Sequence, residues 1–212
     1  QVSNTQLGLL NTIFGVFALA SYLPGGWLAD RITPNRLLAV SLVGTGLAGL
    51  YFATLPAYTG MLLVHAIWGV TTILTFWAAY IKATRDVAGA DEQARIFGIV
   101  EGGRGLSEAI LASAAVVLFA AFAGKAAGLQ AVILMYATLC LLIGVLVGVA
   151  LPTKKGNDQK VAGEQNALQG LVKVLRLRPV WLMALIVLCA YCTFWGTFSL
   201  GYFATDVFGQ TD

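Results

Sequence analysis

Charge is what this chain has least of. Only 11% of its 212 residues are Asp, Glu, Lys or Arg, where soluble domains carry about 25%. Beside 58% hydrophobic residues and a mean hydropathy of +0.82, that shortage excludes a water-soluble fold. A chain of this length cannot hide so much apolar side chain from water. One histidine and three cysteines (Cys140, Cys189, Cys192) exclude a zinc cluster of the usual ligand spacing. Each cysteine lies in an apolar run, where a packed, reduced thiol is expected. The net charge of +3 is too small and too scattered to form a nucleic-acid surface. His-Glu-x-x-His, Gly-x-Ser-x-Gly and Gly-Lys-Ser/Thr are all missing. An enzyme, and ATP-driven pumping in particular, therefore has no recognised constellation here, and no cofactor is expected.

What the chain does have is long apolar runs. A helix needs about 20 apolar residues to cross about 30 Å of hydrocarbon. Six stretches reach that length: 6–29, 37–57, 60–81, 95–123, 127–151 and 179–205. Helices are expected throughout, because an open sheet cannot satisfy its edge groups in lipid. The fold class is all-α, polytopic transmembrane. Residues 1–5 are polar, without an initiator Met or a cleavable signal pattern, and 206–212 are again a polar loop.

Basic residues set the orientation. Arg31 and Arg36 share one loop; Lys82, Arg85 and Arg95 share a second. Lys154, Lys155, Lys160, Lys173, Arg176 and Arg178 share a third. If every run crosses once, these loops lie on one side and hold eleven of the thirteen basic residues. The opposite loops, 56–60 and 124–126, hold Lys125 alone, and Arg104 lies inside a run. Loops 30–36, 82–95 and 152–178 are accordingly expected to be cytoplasmic. The chain reads as an integral protein of a bacterial inner membrane or a plasma membrane. Its first partners are membrane lipids, and nucleic acid is not among them.

The third basic loop is much longer than the others. It opens polar, then turns amphipathic through Leu168, Leu171, Val172, Leu175 and Leu177. Those spacings fit a helix on the membrane surface, with Lys173, Arg176 and Arg178 toward phosphates. Pro179 suits the first position of the next helix. The expected organisation is a lobe over 1–151, a cytoplasmic linker over 152–178, and the start of a second lobe over 179–212.

Between the first two runs stands Gly26-Trp27-Leu28-Ala29-Asp30-Arg31, closed by Arg36 after Thr33-Pro34-Asn35. This Gly-x-Leu-Ala-Asp-Arg segment resembles the loop signature that joins the second and third helices of the major facilitator superfamily. Ser3-Asn4-Thr5-Gln6-Leu7-Gly8 resembles that family's approach to its second helix, and Asp91-Glu92-Gln93-Ala94-Arg95 with Gly98 its approach to the fifth. The resemblance covers almost the whole chain. It implies a helical bundle seen as helices two to seven of about twelve, incomplete because the first helix and most of the second lobe are absent. It also implies that Gly26, Asp30, Arg31 and Arg36 form a cytoplasmic latch, Gly26 allowing close helix approach. Asp30 would accept from a neighbouring helix N-terminus or pair with Arg31 or Arg36. One departure is that Ile32-Thr33-Pro34-Asn35 intervenes where a further basic residue is common. On the bland reading, Asp30 and Arg31 only mark a helix end.

The fourth run carries Glu101-Gly102-Gly103-Arg104-Gly105-Leu106-Ser107-Glu108. Counting from Arg95, Arg104 lies about 14 Å deep, near the bilayer centre. Glu101, Arg104 and Glu108 fall at i, i+3 and i+7 and share one helix face. A lone charge at that depth costs at least about 2.5–3.5 kcal/mol, so the three must face each other, a partner or water. Three roles stay open: Arg104 binds an anionic substrate group, a glutamate carries a coupling proton, or the triad is an internal ion-pair network. Gly98, Gly102, Gly105, Ala109 and Ala112 make a neighbouring small-residue stripe suited to close helix packing.

His65, in His65-Ala66-Ile67-Trp68-Gly69, stands where many facilitator carriers place an Arg four residues ahead of a Gly. It is either a proton-sensitive cavity contact or a satisfied His near the external end. Trp68, Phe76, Trp77 and Tyr80, like Tyr191, Phe194, Trp195, Phe198, Tyr202 and Phe203, read first as packing or interface anchors. Tyr191, Trp195 and Phe198 lie mid-run and are candidates for a cavity wall. Lys82 and Arg85 read as positive-inside anchors.

The resemblance implies secondary active transport of a small polar metabolite by alternating access. Arg104 and a likeness to the sugar-phosphate and organic-anion branches favour an organic anion, a sugar phosphate or sugar acid. A proton-coupled exporter of neutral or cationic compounds, symporter or antiporter being open, is the alternative within transport. A non-transporting membrane sensor or scaffold is the alternative outside it.

Overall fold

The computed structural model describes residues 3–87, 91–122, 126–150 and 176–198. All regular elements among them are helical, and they fall into two units, residues 1–157 and 158–212.

Helix α1 runs Asn4–Arg31 and opens on a capping box. Ser3 Oγ accepts from the Gln6 amide at 3.2 Å, and Gln6 Oε1 accepts from the Ser3 amide at 2.9 Å. It stops at Ile32, whose backbone turns extended (φ −111°, ψ 144°). Pro34 then begins α2, Pro34–Ala53, at a position where its missing N–H costs nothing. The sequence suggests apolar structure to residue 57, but α2 ends at Ala53. Pro56 disfavours helical backbone just before it, and Leu55 sits in the left-handed region at φ 51°.

The third span is continuous over Tyr58–Val87 but has three parts. They are α3 (Tyr58–Val70), a π-helical segment (Thr71–Trp77) and α4 (Ala78–Val87). Thirty residues are about 45 Å of helix, longer than the hydrocarbon, which carries Lys82 and Arg85 toward the headgroups. Then come α5 (Gln93–Ala121), α6 (Ala126–Ala150) and, in the second unit, α7 (Arg178–Phe198). Among the described residues, five helical stretches are long and apolar enough to cross a membrane. The expected sixth begins as α7, and its residues 199–205 lie outside the described residues, as does the expected linker except Arg176–Arg178.

Small residues set the packing of the first unit. α2 lies most extensively against α6. A Cβ added at Gly46 would stand 2.8 Å from Leu141 Cγ and 2.9 Å from the Ala137 carbonyl oxygen. At Gly144 one would come 3.0 Å from Leu42 Cβ. α1 meets α3 at Gly69, where a Cβ would stand 2.6 Å from the Phe14 carbonyl oxygen. Helices approach this closely only over glycine, and in lipid such contact is the main adhesive. At the basic-loop end, Ala29, Leu37 and Ala79 are buried together against Leu28, Ile32, Leu38 and Ala78.

Among the described residues the glycine stripe of α5 is open: Gly98, Gly102 and Gly105 have nothing within 4 Å of an added Cβ, and no α5 residue is buried. The three cysteines differ in burial. Cys140 is half-buried, but Cys189 and Cys192 are exposed, because α7 is the sole described element of its unit.

Candidate functional site

α5 brings Glu101, Arg104 and Glu108 into one ion-pair chain, as their spacing predicts. Arg104 Nε donates to Glu101 Oε2 at 2.8 Å, and Arg104 Nη1 lies 3.6 Å from Glu108 Oε2. The contacts follow from i, i+3 and i, i+4 placement on one helix. A fourth member comes from α4: the Tyr80 hydroxyl donates to Glu101 Oε1 at 2.8 Å. Both oxygens of Glu101 are thus occupied, which fixes the carboxylate. Tyr80 is itself held by rings, stacked against Phe76 (5.9 Å, 9°) and Trp77 (5.6 Å, 26°).

The site is open on one side. The Arg104 and Glu108 side chains are 55% and 62% exposed, so a ligand or a further helix can reach them. Two carboxylates surround one guanidinium, giving a formal charge of −1 at an intramembrane depth. Such a cluster can exchange one carboxylate for an anionic ligand at Arg104.

Tyr80 was legible as an aromatic anchor but not as part of the site. The available signal was hairpin symmetry. Tyr80 and Glu101 are nearly equidistant from the turn between α4 and α5, so antiparallel helices place them at one level.

His65 stands apart from this cluster. It lies fifteen residues before Tyr80 in the same span, about 22 Å along the axis. Its Nδ1 lies 2.8 Å from the Met61 carbonyl. A carbonyl only accepts, so Nδ1 carries the hydrogen. The ring packs edgewise on Phe52 (5.8 Å) and tilted against Trp68 (5.3 Å). Beside these rings is an apolar cavity of about 260 Å³, lined by Thr45, Phe52, Trp68, Val132, Tyr136 and Cys140 among others.

Among the described residues Gly26 meets nothing within 4 Å, while at Gly25 a Cβ would come 3.1 Å from the Leu74 carbonyl oxygen. Among the described residues Asp30 forms no ion pair with Arg31 or Arg36. Adjacent helical residues point apart, and the Arg31 guanidinium instead lies 3.9 Å over the Trp27 ring. Arg36 is exposed. The cross-helix tie here is Lys82, whose Nζ donates to the Ala29 carbonyl at 2.7 Å. A cation at the carbonyl end of α1 suits the helix dipole. Tyr191 is exposed on α7, and the side chains of Trp195 and Phe198 lie outside the described residues.

Among the described residues, five helical stretches able to cross a membrane, one of them carrying a charged cluster, define a polytopic membrane protein. The chain belongs to the major facilitator superfamily, a family of membrane transporters whose family model matches residues 1–211. It is 30% identical to inner membrane protein YqcE of Escherichia coli over 190 residues, 87% of this chain and 44% of that protein. It is 27% identical to inner membrane protein YihN of Escherichia coli over 198 residues, 92% of this chain and 47% of that protein. An uncharacterized protein of Mycoplasma pneumoniae is 30% identical over 108 residues, 46% of this chain and 23% of that protein. The chain spans about half the length of the Escherichia coli relatives it matches. No solved structure matches it at a significant level. It is an integral protein of a bacterial inner membrane.

Proposed function

We propose that the whole protein is a secondary active transporter that moves a small polar metabolite by alternating access of two lobes around a midplane site. The observation that carries this reading is the Tyr80–Glu101–Arg104–Glu108 cluster, a charged, partly open site inside an apolar span. Basic loops 30–36, 82–95 and 152–178 face the cytoplasm in this arrangement.

The substrate is an organic anion, a sugar phosphate or sugar acid. Its anionic group replaces Glu108 at Arg104, the longer of the two contacts at 3.6 Å, while Glu101 stays fixed by Tyr80. A planar guanidinium with several donors suits that exchange. The charge count favours one second reading. With two carboxylates to one guanidinium, protonation of Glu108 couples export of a neutral or cationic compound to the proton gradient.

The test is the thermal stability of the full-length protein in detergent against organic anions, neutral sugars and lipophilic cations. A ligand at 100 times its dissociation constant adds about 2.7 kcal/mol. Stabilisation by one anion class, lost in Arg104→Gln, supports the anion carrier. Stabilisation by neutral or cationic compounds that survives Arg104→Gln overturns it in favour of the second reading.

A further inference from the structure

Among the described residues, one stretch of backbone leaves the α register: Thr71–Trp77 is π-helical. A π segment closes i→i+5 bonds and so accommodates one residue more than the α-helix it interrupts. Hydroxyls also donate to carbonyls in and just before this segment. Ser41 of α2, 1% exposed, donates to the Thr71 carbonyl at 2.7 Å, and Thr75 Oγ1 donates to the same oxygen at 2.8 Å. Thr72 Oγ1 donates to the Trp68 carbonyl at 2.6 Å, and the Thr45 and Thr71 hydroxyls share a bond of 2.8 Å. α1 closes the other side. Gly25 lies against the Ile73 and Leu74 carbonyls, beside Pro24, which removes an N–H from α1's own ladder.

Tyr80 comes three residues after this segment ends. In an α-helix each residue turns the chain by about 100°. Absorbing the extra residue into the α ladder therefore rotates everything after it by about that angle, which takes Tyr80 off Glu101. We propose that Thr71–Trp77 is the register element that aims Tyr80 at Glu101, and that Ser41 is the positioning residue that holds it in that register. α2 thereby acts on the charged cluster without touching it. The inference rests on the proposed carrier only for what the cluster does; the coupling of register to contact is independent of any substrate.

The test is proximity. In the full-length protein, with every native cysteine replaced by serine, Tyr80→Cys and Glu101→Cys are bridged in membranes with a short bis-methanethiosulfonate. A control disulfide joins Ala39→Cys to Gly148→Cys, where an added Cβ lies 3.4 Å from its partner. Bridging is expected to be rapid in the parent, to fall several-fold in Ser41→Ala and to persist in Ser41→Thr, which keeps the hydroxyl. Deleting Ile73 removes the extra residue and leaves the flanking helices in phase, so the deletion is expected to restore bridging to Ser41→Ala. Unchanged bridging in Ser41→Ala with the control intact overturns the proposal, as does failure of the deletion to restore it. Should Ser41→Ala lose the control disulfide, the deletion alone decides: bridging kept supports the register element, bridging lost overturns it. No substrate is needed. The expected yields with no stabilising ligand would sink the carrier reading and leave this inference standing; ligand stabilisation with unchanged bridging would do the reverse.

Discussion

The Tyr80 hydroxyl donates to Glu101 at 2.8 Å across the antiparallel pair α4–α5, and Arg104 occupies the other oxygen of the same carboxylate at 2.8 Å. Two donors on one carboxylate make Glu101 the fixed member of the cluster and leave Glu108 the labile one.

Tyr80→Phe keeps the rings against Phe76 and Trp77 and removes only the hydroxyl. Hydrogen bonds to charged groups contribute about 1.5–3 kcal/mol, and partial exposure puts this one at the low end, about tenfold. The melting temperature should fall modestly, and transport in proteoliposomes should fall by that order. A rate equal to the parent's would remove Tyr80 from the site.

Glu108→Gln should cost ligand affinity less than Glu101→Gln, because Glu108 makes one contact at 3.6 Å and Glu101 makes two at 2.8 Å. Arg104→Lys should fail to rescue Arg104→Gln, since a point charge cannot bridge both carboxylates in this geometry. Ligand-induced thermal shifts measure all four variants.

Gly46→Val should destabilise by about 1–3 kcal/mol through overpacking, since even its Cβ would meet Ala137 backbone at 2.9 Å. Gly148→Ala, with its nearest atom at 3.4 Å, should be tolerated. Melting temperatures in one detergent make the comparison, and equal losses would show that α2 and α6 do not depend on glycine.

Asp30→Asn should leave the melting temperature unchanged, because Asp30 forms no ion pair here among the described residues. Its transport rate should fall, as a latch made in another state of the cycle requires. Lys82→Met should lower the melting temperature, since it removes the donor to Ala29. If Asp30→Asn instead transports like the parent, the motif marks a helix end and no more.

Thr33→Val should be neutral or slightly stabilising. The buried Thr33 hydroxyl finds no partner among the described residues, so its removal loses no bond. A clear drop in melting temperature would mean that Thr33 has a partner in the whole protein.

The spans and the ion-pair chain were legible because each rests on local periodicity. A run of about 20 apolar residues is a crossing wherever it packs, and i, i+3 and i+7 meet on any helix. The loop motif was legible as a place. Which of its contacts form depends on helix phase: among the described residues Gly25 meets the Leu74 backbone and Gly26 does not, one residue apart turning the face by about 100°.

By itself the sequence determined that the chain is helical and membrane-spanning, and that Glu101, Arg104 and Glu108 share a face. Those features follow from composition and from spacing within single helices. Only the tertiary structure decided that Tyr80 completes the cluster, that Lys82 ties α4 to α1, and that Ser41 meets the π-helical Thr71. Each of these joins residues on different helices, and such contacts depend on crossing position and rotation. Those are set by which small residues let two backbones approach, a quantity that no single helix contains.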